Sequence, residues 1–277
     1  MRKFKIVTDS SSDLRTLDGV PFESAPLKVI TDEREYIDNS DLDVVSMLAD
    51  LKAYKGRSHS SCPSSGEYFD AFSDAENVFC ITITSGLSGS FNAANVAAKQ
   101  FKEIYPDRNI HVIDSLSTGA ENALLAEKLR ELILEGKDFE TIKAEITKYH
   151  NHTRLIFALE SMHNLANNGR ISQLTAKMAG MLGIRAIGRA SAEGTLDMIC
   201  KSRGPLSAAN DIVSNMIHDG YNGGKVRIHH ANNESSALLL RDRIIDSFPE
   251  AHIDILPSGG LCSFYAEQGG LMVGFEI

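Results

Sequence analysis

The first half of the chain alternates short apolar runs with longer stretches of helical periodicity. Three runs that are rich in β-branched residues predict strands at Phe4–Thr8, Val78–Thr82 and His111–Ile113. Apolar residues recur on one helical face in the segments between and after them, namely Phe91, Ala94, Ala98, Phe101 and Tyr105, and then Leu125, Leu129, Leu132 and Ile133. Strands that alternate with helices indicate βαβ units and a parallel sheet.

The pattern changes near Thr153. Leu155–Leu159 is a strand-like run, and Ala186–Arg203 reads as two strands that reverse at Glu193-Gly194. Helical and strand patterns follow up to residue 256. A hairpin among crossover connections predicts a mixed sheet, and therefore a second domain.

These patterns predict an α/β protein of two domains, and a length of 277 residues favours two cores over one. We expect residues 1–155 to form a three-layer α/β/α domain with a mainly parallel sheet. We expect residues 156–277 to form an α/β domain with a mixed sheet. We find no Pro- or Gly-rich linker near the boundary, so we expect the domains to pack closely.

Composition removes several functional classes. The formal net charge of −9 argues against a broad nucleic-acid footprint. The four cysteines show no C-x-x-C spacing, and no His and Cys combine at the spacing of a zinc site, so we expect free thiols and no metal. No apolar run approaches the roughly 20 residues that span a bilayer. We therefore expect a cytoplasmic protein without stable membrane insertion.

Hydroxyl-rich loops follow the three predicted strands of the first half, and another precedes a short helix. The four loops are Thr8–Ser12, Ser58–Gly66, Thr84–Ser90 and Asp114–Gly119. Ligands of open parallel sheets bind where the carboxyl ends of the strands meet, and helix N-termini there offer free N–H groups to an anion. A Ser or Thr in such a loop can instead be a simple helix cap, but four loops together predict an anion pocket.

The pocket favours a singly charged carboxylate over a polyphosphate. The chain has neither a P-loop nor G-x-G-x-x-G, and the loops lack clustered Arg and Lys. An alternative hypothesis is a serine-dependent acyl hydrolase or transferase that uses Ser85 or Ser88, but such an enzyme needs an oriented base within reach. A third hypothesis is a site for a sugar or a small acid.

Several blocks of sequence together resemble the DegV family of bacterial fatty-acid-binding proteins, over essentially the whole chain. The blocks are Lys5–Ser10, Ser60-Ser61-Cys62-Pro63-Ser64, Ile83–Ser90, Val112–Ser115, and Leu159 through Gly169-Arg170-Ile171-Ser172. Each block is short, and the resemblance lies in their order and spacing.

The resemblance implies two α/β domains that bury a long-chain fatty acid non-covalently, with no catalytic residue and no cofactor. The implied partner is the ATP-binding subunit of a fatty-acid kinase, to which this chain would present its ligand. It also implies the residues that contact the carboxylate, which are Ser60, Ser61, Thr84, Ser85 and Arg203.

The chain departs from the family pattern near residue 265. The family has His-Thr-Gly-Pro-Gly, whereas this chain has Tyr265-Ala266-Glu267-Gln268-Gly269. Tyr265 stands where the family has a carboxylate-contacting His, and a phenol can donate a hydrogen bond but carries no positive charge. We expect Tyr265 to bond the carboxylate or the nearby serines, and Glu267 to face solvent or pair with Arg203. The apolar stripe Leu174, Met178, Met181 and Leu182 is either tunnel wall or ordinary core.

Overall fold

The computed structural model of the protein describes residues 2–176 and 183–277. The side chains of the predicted stripe at Leu174, Met178, Met181 and Leu182 lie outside what the structure describes. The strands of the described residues are β1 (Arg2–Asp9), β2 (Phe22–Ala25), β3 (Lys28–Ile30), β4 (Glu35–Ile37), β5 (His59–Ser61), β6 (Ala75–Thr82), β7 (Asn109–Asp114), β8 (Thr153–Leu159), β9 (Ile184–Ala190), β10 (Leu196–Arg203), β11 (Lys225–His230), β12 (His252–Pro257) and β13 (Leu271–Glu276).

The helices lie between these strands, singly or in pairs. Those of the described residues are α1 (Val44–Ala53), α2 (Ser65–Phe72), α3 (Ser90–Ile104), α4 (Ala120–Leu134), α5 (Phe139–His150), α6 (His163–Asn167), α7 (Gln173–Ala176), α8 (Gly204–His218), α9 (Glu234–Ser247) and α10 (Gly260–Ala266). A single 3₁₀ turn, Ser10–Ser12, follows β1.

The first sheet is parallel, in the order β2-β1-β6-β7. Alternate residues of its strands point to opposite faces. Ile6 and Phe79 pack against α4 and α5, whereas Val7 and Val78 pack against α2 and α3. Both faces are therefore covered, and the predicted three-layer α/β/α arrangement is confirmed.

The second sheet is mixed, in the order β10-β9-β8-β13-β11-β12, with parallel pairing only between β11 and β12. One face packs against α8 and α9. The predicted hairpin is β9-β10, and Gly194 in its turn has φ +75°. The mixed sheet that the sequence predicts is confirmed.

The protein also has a third, small sheet that the sequence pattern did not predict. It has the order β4-β3-β5 and is antiparallel. Helix α1, which follows this sheet's first two strands, begins at Val44, and its N-cap is Asp43 because that carboxylate accepts from the Ser46 N–H at 3.0 Å.

The two halves are in close contact. Helix α4 of the first half lies on β13 of the second, and a Cβ at Gly274 would stand 2.5 Å from the Ala120 carbonyl carbon. Only a glycine allows that approach. The predicted boundary between residues 155 and 156 falls within β8, and as a division between domains it stays a prediction.

Candidate functional site

A largely apolar cavity lies between the two halves of the protein. The cavity and the open space at its mouth together amount to about 670 Å³. Its lining comes from both halves and comprises Leu27, Ser60, Ile83, Leu87, Ser88, Thr118, Leu155, Phe157, Leu159, Leu165, Arg170, Leu196, Leu261, Cys262, Tyr265, Ala266 and Met272.

Strand β8 forms one long wall of the cavity. Leu155, Phe157 and Leu159 line it, because alternate residues of a strand share a face. The intervening Ile156 and Ala158 point away, into the core beneath α8. One strand therefore supplies the cavity wall and the core of the second half at the same time.

Polar groups collect at one end of the cavity. The hydroxyls of Ser60 and Tyr265 lie 2.7 Å apart, and either can donate. The guanidinium of Arg170 lies 5.7 Å from the centroid of the Tyr265 ring. Ser88 lines the cavity as well. We call Ser60, Ser88, Arg170 and Tyr265 the polar end of the cavity.

The Tyr265 hydroxyl stays protonated at neutral pH. Burial raises the pKa of Tyr265, and the hydrogen bond with Ser60 and the charge of Arg170 only partly oppose this effect. A protonated phenol can donate to an anion. The polar end thus offers hydroxyl donors beside one permanent positive charge.

Two of the three guanidinium nitrogens of Arg170 donate to backbone carbonyls. Its Nε donates to the Leu87 carbonyl at 3.2 Å, and its Nη1 donates to the Asn168 carbonyl. No partner for Nη2 is recorded within the described ranges. An anion at the polar end could take up this donor, and a charge-assisted hydrogen bond is stronger than a neutral one.

Helix α10 carries Tyr265, and carboxylates of the first half fix the start of that helix. The two oxygens of Asp38 accept from the N–H groups of Gly260 at 2.7 Å and Leu261 at 2.9 Å. Asp13 accepts from the Gly259 N–H at 2.8 Å. These bonds fix α10, from the second half of the chain, against loops of the first, and so place Tyr265 beside Ser60.

The model of the DegV family, which describes its members as uncharacterised proteins, matches residues 3–276. The chain belongs to the DegV family. It is 42% identical over 278 residues to the DegV domain-containing protein spr0652 of Streptococcus pneumoniae R6, with 99% of each chain covered.

Two solved structures of DegV relatives are similar along their whole length. A DegV family protein of Eubacterium eligens, loaded with heptadecanoic acid, is 40% identical with a TM-score of 0.97, and the match covers 99% of each chain. The Fatty Acid Kinase (Fak) B3 protein of Streptococcus pneumoniae, loaded with linoleic acid, is 42% identical with a TM-score of 0.97 and the same coverage.

The residues that the DegV resemblance implied for the carboxylate do not all meet in the cavity. Ser60 and Tyr265 do. Thr84 is buried, and its hydroxyl donates to the Gly194 carbonyl at 2.8 Å, where it connects the two halves of the chain. Ser61 does not line the cavity, and its hydroxyl lies 3.5 Å from the Cys62 carbonyl.

Ser85 and Arg203 are exposed and lie off the cavity wall. Ser88, three residues after Ser85, lines the cavity in its place. Arg203 ends β10 and is the N-cap of α8, whereas Arg170 supplies the cation at the polar end. The role of Arg170 was missed because a single Arg in a polar segment has no distinguishing pattern. It did stand inside one of the blocks that resemble the family.

The expectation for Glu267 was wrong. Its carboxylate neither pairs with Arg203 nor lies free in solvent, since it is half-buried and accepts from the Asn164 N–H at 3.0 Å. The bond satisfies a free N–H at the start of α6. The charged carboxylate of Glu267 is therefore bound to the backbone of α6.

The geometry gives no support to a serine nucleophile. Neither Ser85 nor Ser88 has a hydrogen bond to a histidine among the residues that the structure describes. The Ser90 hydroxyl is bonded to Asp9 at 2.6 Å and to Tyr68 at 2.6 Å, but it is fully buried and lies off the cavity wall.

Two further features bear on function. In residues 2–176 and 183–277 no group of three or more His, Cys, Asp or Glu side chains is arranged to hold a metal ion. No helix in the same two ranges is long and apolar enough to cross a membrane.

Proposed function

We propose that this protein binds a long-chain fatty acid non-covalently, with the carboxylate at the polar end and the acyl chain along the apolar wall. One observation carries the proposal, namely an apolar cavity that has the Ser60 and Tyr265 hydroxyls and the Arg170 guanidinium together at one end. Two relatives that are at least 40% identical over nearly the whole chain were solved loaded with a long-chain acid, which supports it.

The two parts of the ligand contribute differently to binding. Each buried methylene contributes about 0.8 kcal/mol, so a tail of about 15 carbons contributes on the order of 10 kcal/mol before entropic costs. A hydrogen bond to a charged carboxylate contributes about 1.5–3 kcal/mol. The tail therefore sets the affinity, and the polar end sets the orientation of the acid.

We further propose that the protein acts as a non-catalytic carrier in the cytoplasm and presents its acid to the ATP-binding subunit of a fatty-acid kinase. The similarity to the pneumococcal Fatty Acid Kinase (Fak) B3 protein supports this partner. No cofactor is needed for carriage, and the bound acid is a ligand. Among the described residues neither Ser85 nor Ser88 is bonded to a histidine base, which favours carriage over an acyl-enzyme.

Mass spectrometry tests the binding proposal. Native spectra of the purified protein should show the mass of a fatty acid, and denaturing spectra should show the bare chain. A mass increase that survives denaturation would instead indicate an acyl-enzyme and favour the hydrolase hypothesis. Extracts without lipid, together with no thermal shift on addition of palmitate or oleate, would contradict binding altogether.

The kinase proposal has its own test. The loaded protein is mixed with ATP and the ATP-binding subunit of a fatty-acid kinase, and acyl phosphate is trapped with hydroxylamine. Product should require both proteins. If the protein binds the acid but no acyl phosphate forms, the carrier function still stands and the kinase subunit is excluded as its partner.

A further inference from the structure

The apolar cavity ends at a second, polar cleft, and Leu155 is the residue that lines both. The cleft lies at the start of β8, and its polar lining includes Ser115, Glu121, His150, Arg154, Arg189 and Asp197. The side chain of Leu155 is only 2% exposed. It therefore separates an apolar space from a polar one.

The position of Leu155 along β8 places it away from the polar end. Leu159, at the other end of the same strand, lies next to the segment that carries Leu165 and Arg170. Four residues of strand span about 13 Å. An acid whose carboxylate lies at Arg170 thus extends its tail along β8 towards Leu155.

The wall around Leu155 is thin on both sides. On β10, Leu196 lines the cavity and the next residue, Asp197, lines the cleft. In the loop after β7, Thr118 lines the cavity and Leu116 lines the cleft. One layer of side chains therefore divides the two spaces.

The cleft beyond this layer does not favour an acyl tail. Glu121 is buried there and accepts from the Thr153 hydroxyl at 2.7 Å, and Arg154 is bonded to the carbonyls of Asn151 and Thr153. A methyl group pushed among these groups would be surrounded by polar atoms and would gain little from burial.

We propose that Leu155 is the end stop of the acyl cavity and sets the longest chain that the protein accepts. The inference rests on the proposed function, because it requires that an acid be bound. It identifies the residue that determines specificity for chain length, at the opposite end from the groups that recognise the carboxylate.

Two substitutions with opposite effects test the end stop. The dissociation constants of saturated fatty acids that differ by two carbons are measured for the wild type and for Leu155→Ala and Leu155→Phe. Leu155→Ala should shift the optimum to longer acids, with a gain of about fourfold for each additional buried methylene. Leu155→Phe should shift it to shorter acids. Either variant alone decides the question if the other fails to fold.

Ile156→Ala provides the matched control. Ile156 is the next residue of β8 and is equally buried, but it faces α8 rather than the cavity. Its loss should destabilise the fold and leave the optimal chain length unchanged. If the Leu155 variants keep the optimal chain length of the wild type, the end stop is overturned and the proposed function is not. A wild type that binds no acid of the series would overturn the proposed function, and the end stop with it.

Discussion

Two kinds of serine-rich loop meet at one end of the first sheet, and they use their hydroxyls in opposite ways. In the inner loops, which we define as Asp9–Ser12 and Ser115–Ser117, most hydroxyls are hydrogen-bonded within the protein. The outer loops, Ser58–Ser61 and Leu87–Ser88, turn a hydroxyl towards the cavity.

In the inner loops the serine hydroxyls form hydrogen bonds with other groups of the protein. Ser10 accepts from the Leu27 N–H at 3.0 Å, Ser12 lies 2.9 Å from the Thr8 hydroxyl, and Ser115 donates to the Ser117 carbonyl at 2.9 Å. Buried polar groups must find such partners. A serine run at a strand end therefore indicates recognition only where its hydroxyl remains open to a cavity.

The largest expected effect concerns Asp9, at the centre of the inner loops. Asp9→Ala removes the acceptor of the Ile83 N–H at 2.9 Å and of the Ser90 and Ser11 hydroxyls. Buried donors without a partner cost about 1–3 kcal/mol each. We expect a loss of about 3 kcal/mol or more in the free energy of unfolding, measured with urea.

Ser61→Ala, in an outer loop, is the control for Asp9→Ala. Within the described residues its hydroxyl makes one long contact, at 3.5 Å to the Cys62 carbonyl, so the free energy of unfolding should barely change. Equal losses for the two variants would remove the distinction between inner and outer loops.

Next in size is the effect of Arg170→Gln, which removes the cation at the polar end. We expect acid binding to weaken by about 1.5–3 kcal/mol, or one to two decades in Kd. An alcohol with the same tail should lose far less, because it carries no charge. Calorimetric titration with both ligands measures the difference.

Arg203→Gln makes the same change on the exposed surface. Its Kd for the acid should equal that of the wild type. If Arg203→Gln weakened acid binding and Arg170→Gln did not, the carboxylate would lie at Arg203, as the family resemblance implied.

Tyr265→Phe removes one hydroxyl from the polar end and keeps the ring. Acid binding should weaken by about 1–2 kcal/mol, the range for a lost hydrogen bond. Because Ser60 and Tyr265 are bonded to each other at 2.7 Å, the double variant Ser60→Ala/Tyr265→Phe should lose less than the sum of the single ones. Additive losses in a competition assay would mean that the two hydroxyls act separately.

The smallest effect compares two serines of one loop. Ser88→Ala should weaken acid binding by about 0.5–1.5 kcal/mol, because Ser88 lines the cavity. Ser85→Ala should leave binding within error, since that side chain is exposed. The reverse order in a thermal-shift titration would place the carboxylate at Ser85 and contradict the arrangement proposed here.

Periodicity predicted the parts of the fold that are long enough to show it. The strands at Phe4–Thr8 and Val78–Thr82 and the hairpin at Gly194 are observed as β1, β6 and β9-β10. The small sheet was missed because each of its strands has only three residues. Three residues are too few for a period of two to stand out from chance.

The candidate site was harder to predict than the fold. Ser60 and Tyr265 are separated by 205 positions in the chain, and only the family resemblance put them together. Whether a hydroxyl faces a cavity or a backbone N–H depends on the tertiary fold around its loop. For that reason the sequence predicted hydroxyl-rich loops at the right end of the sheet but did not distinguish Ser88 from Ser85.

The place of β13 in the second sheet has a consequence for how the protein is made. This strand follows all the other described strands in the chain, yet it pairs with β8 on one side and β11 on the other. A ribosome releases β8 and β11 first, so both wait with unpaired edges, which are templates for aggregation. Met272, on β13, also lines the cavity. The acyl cavity therefore cannot close until β13 has left the ribosome, and a nascent chain that lacks this strand has no complete site in which to hold a lipid.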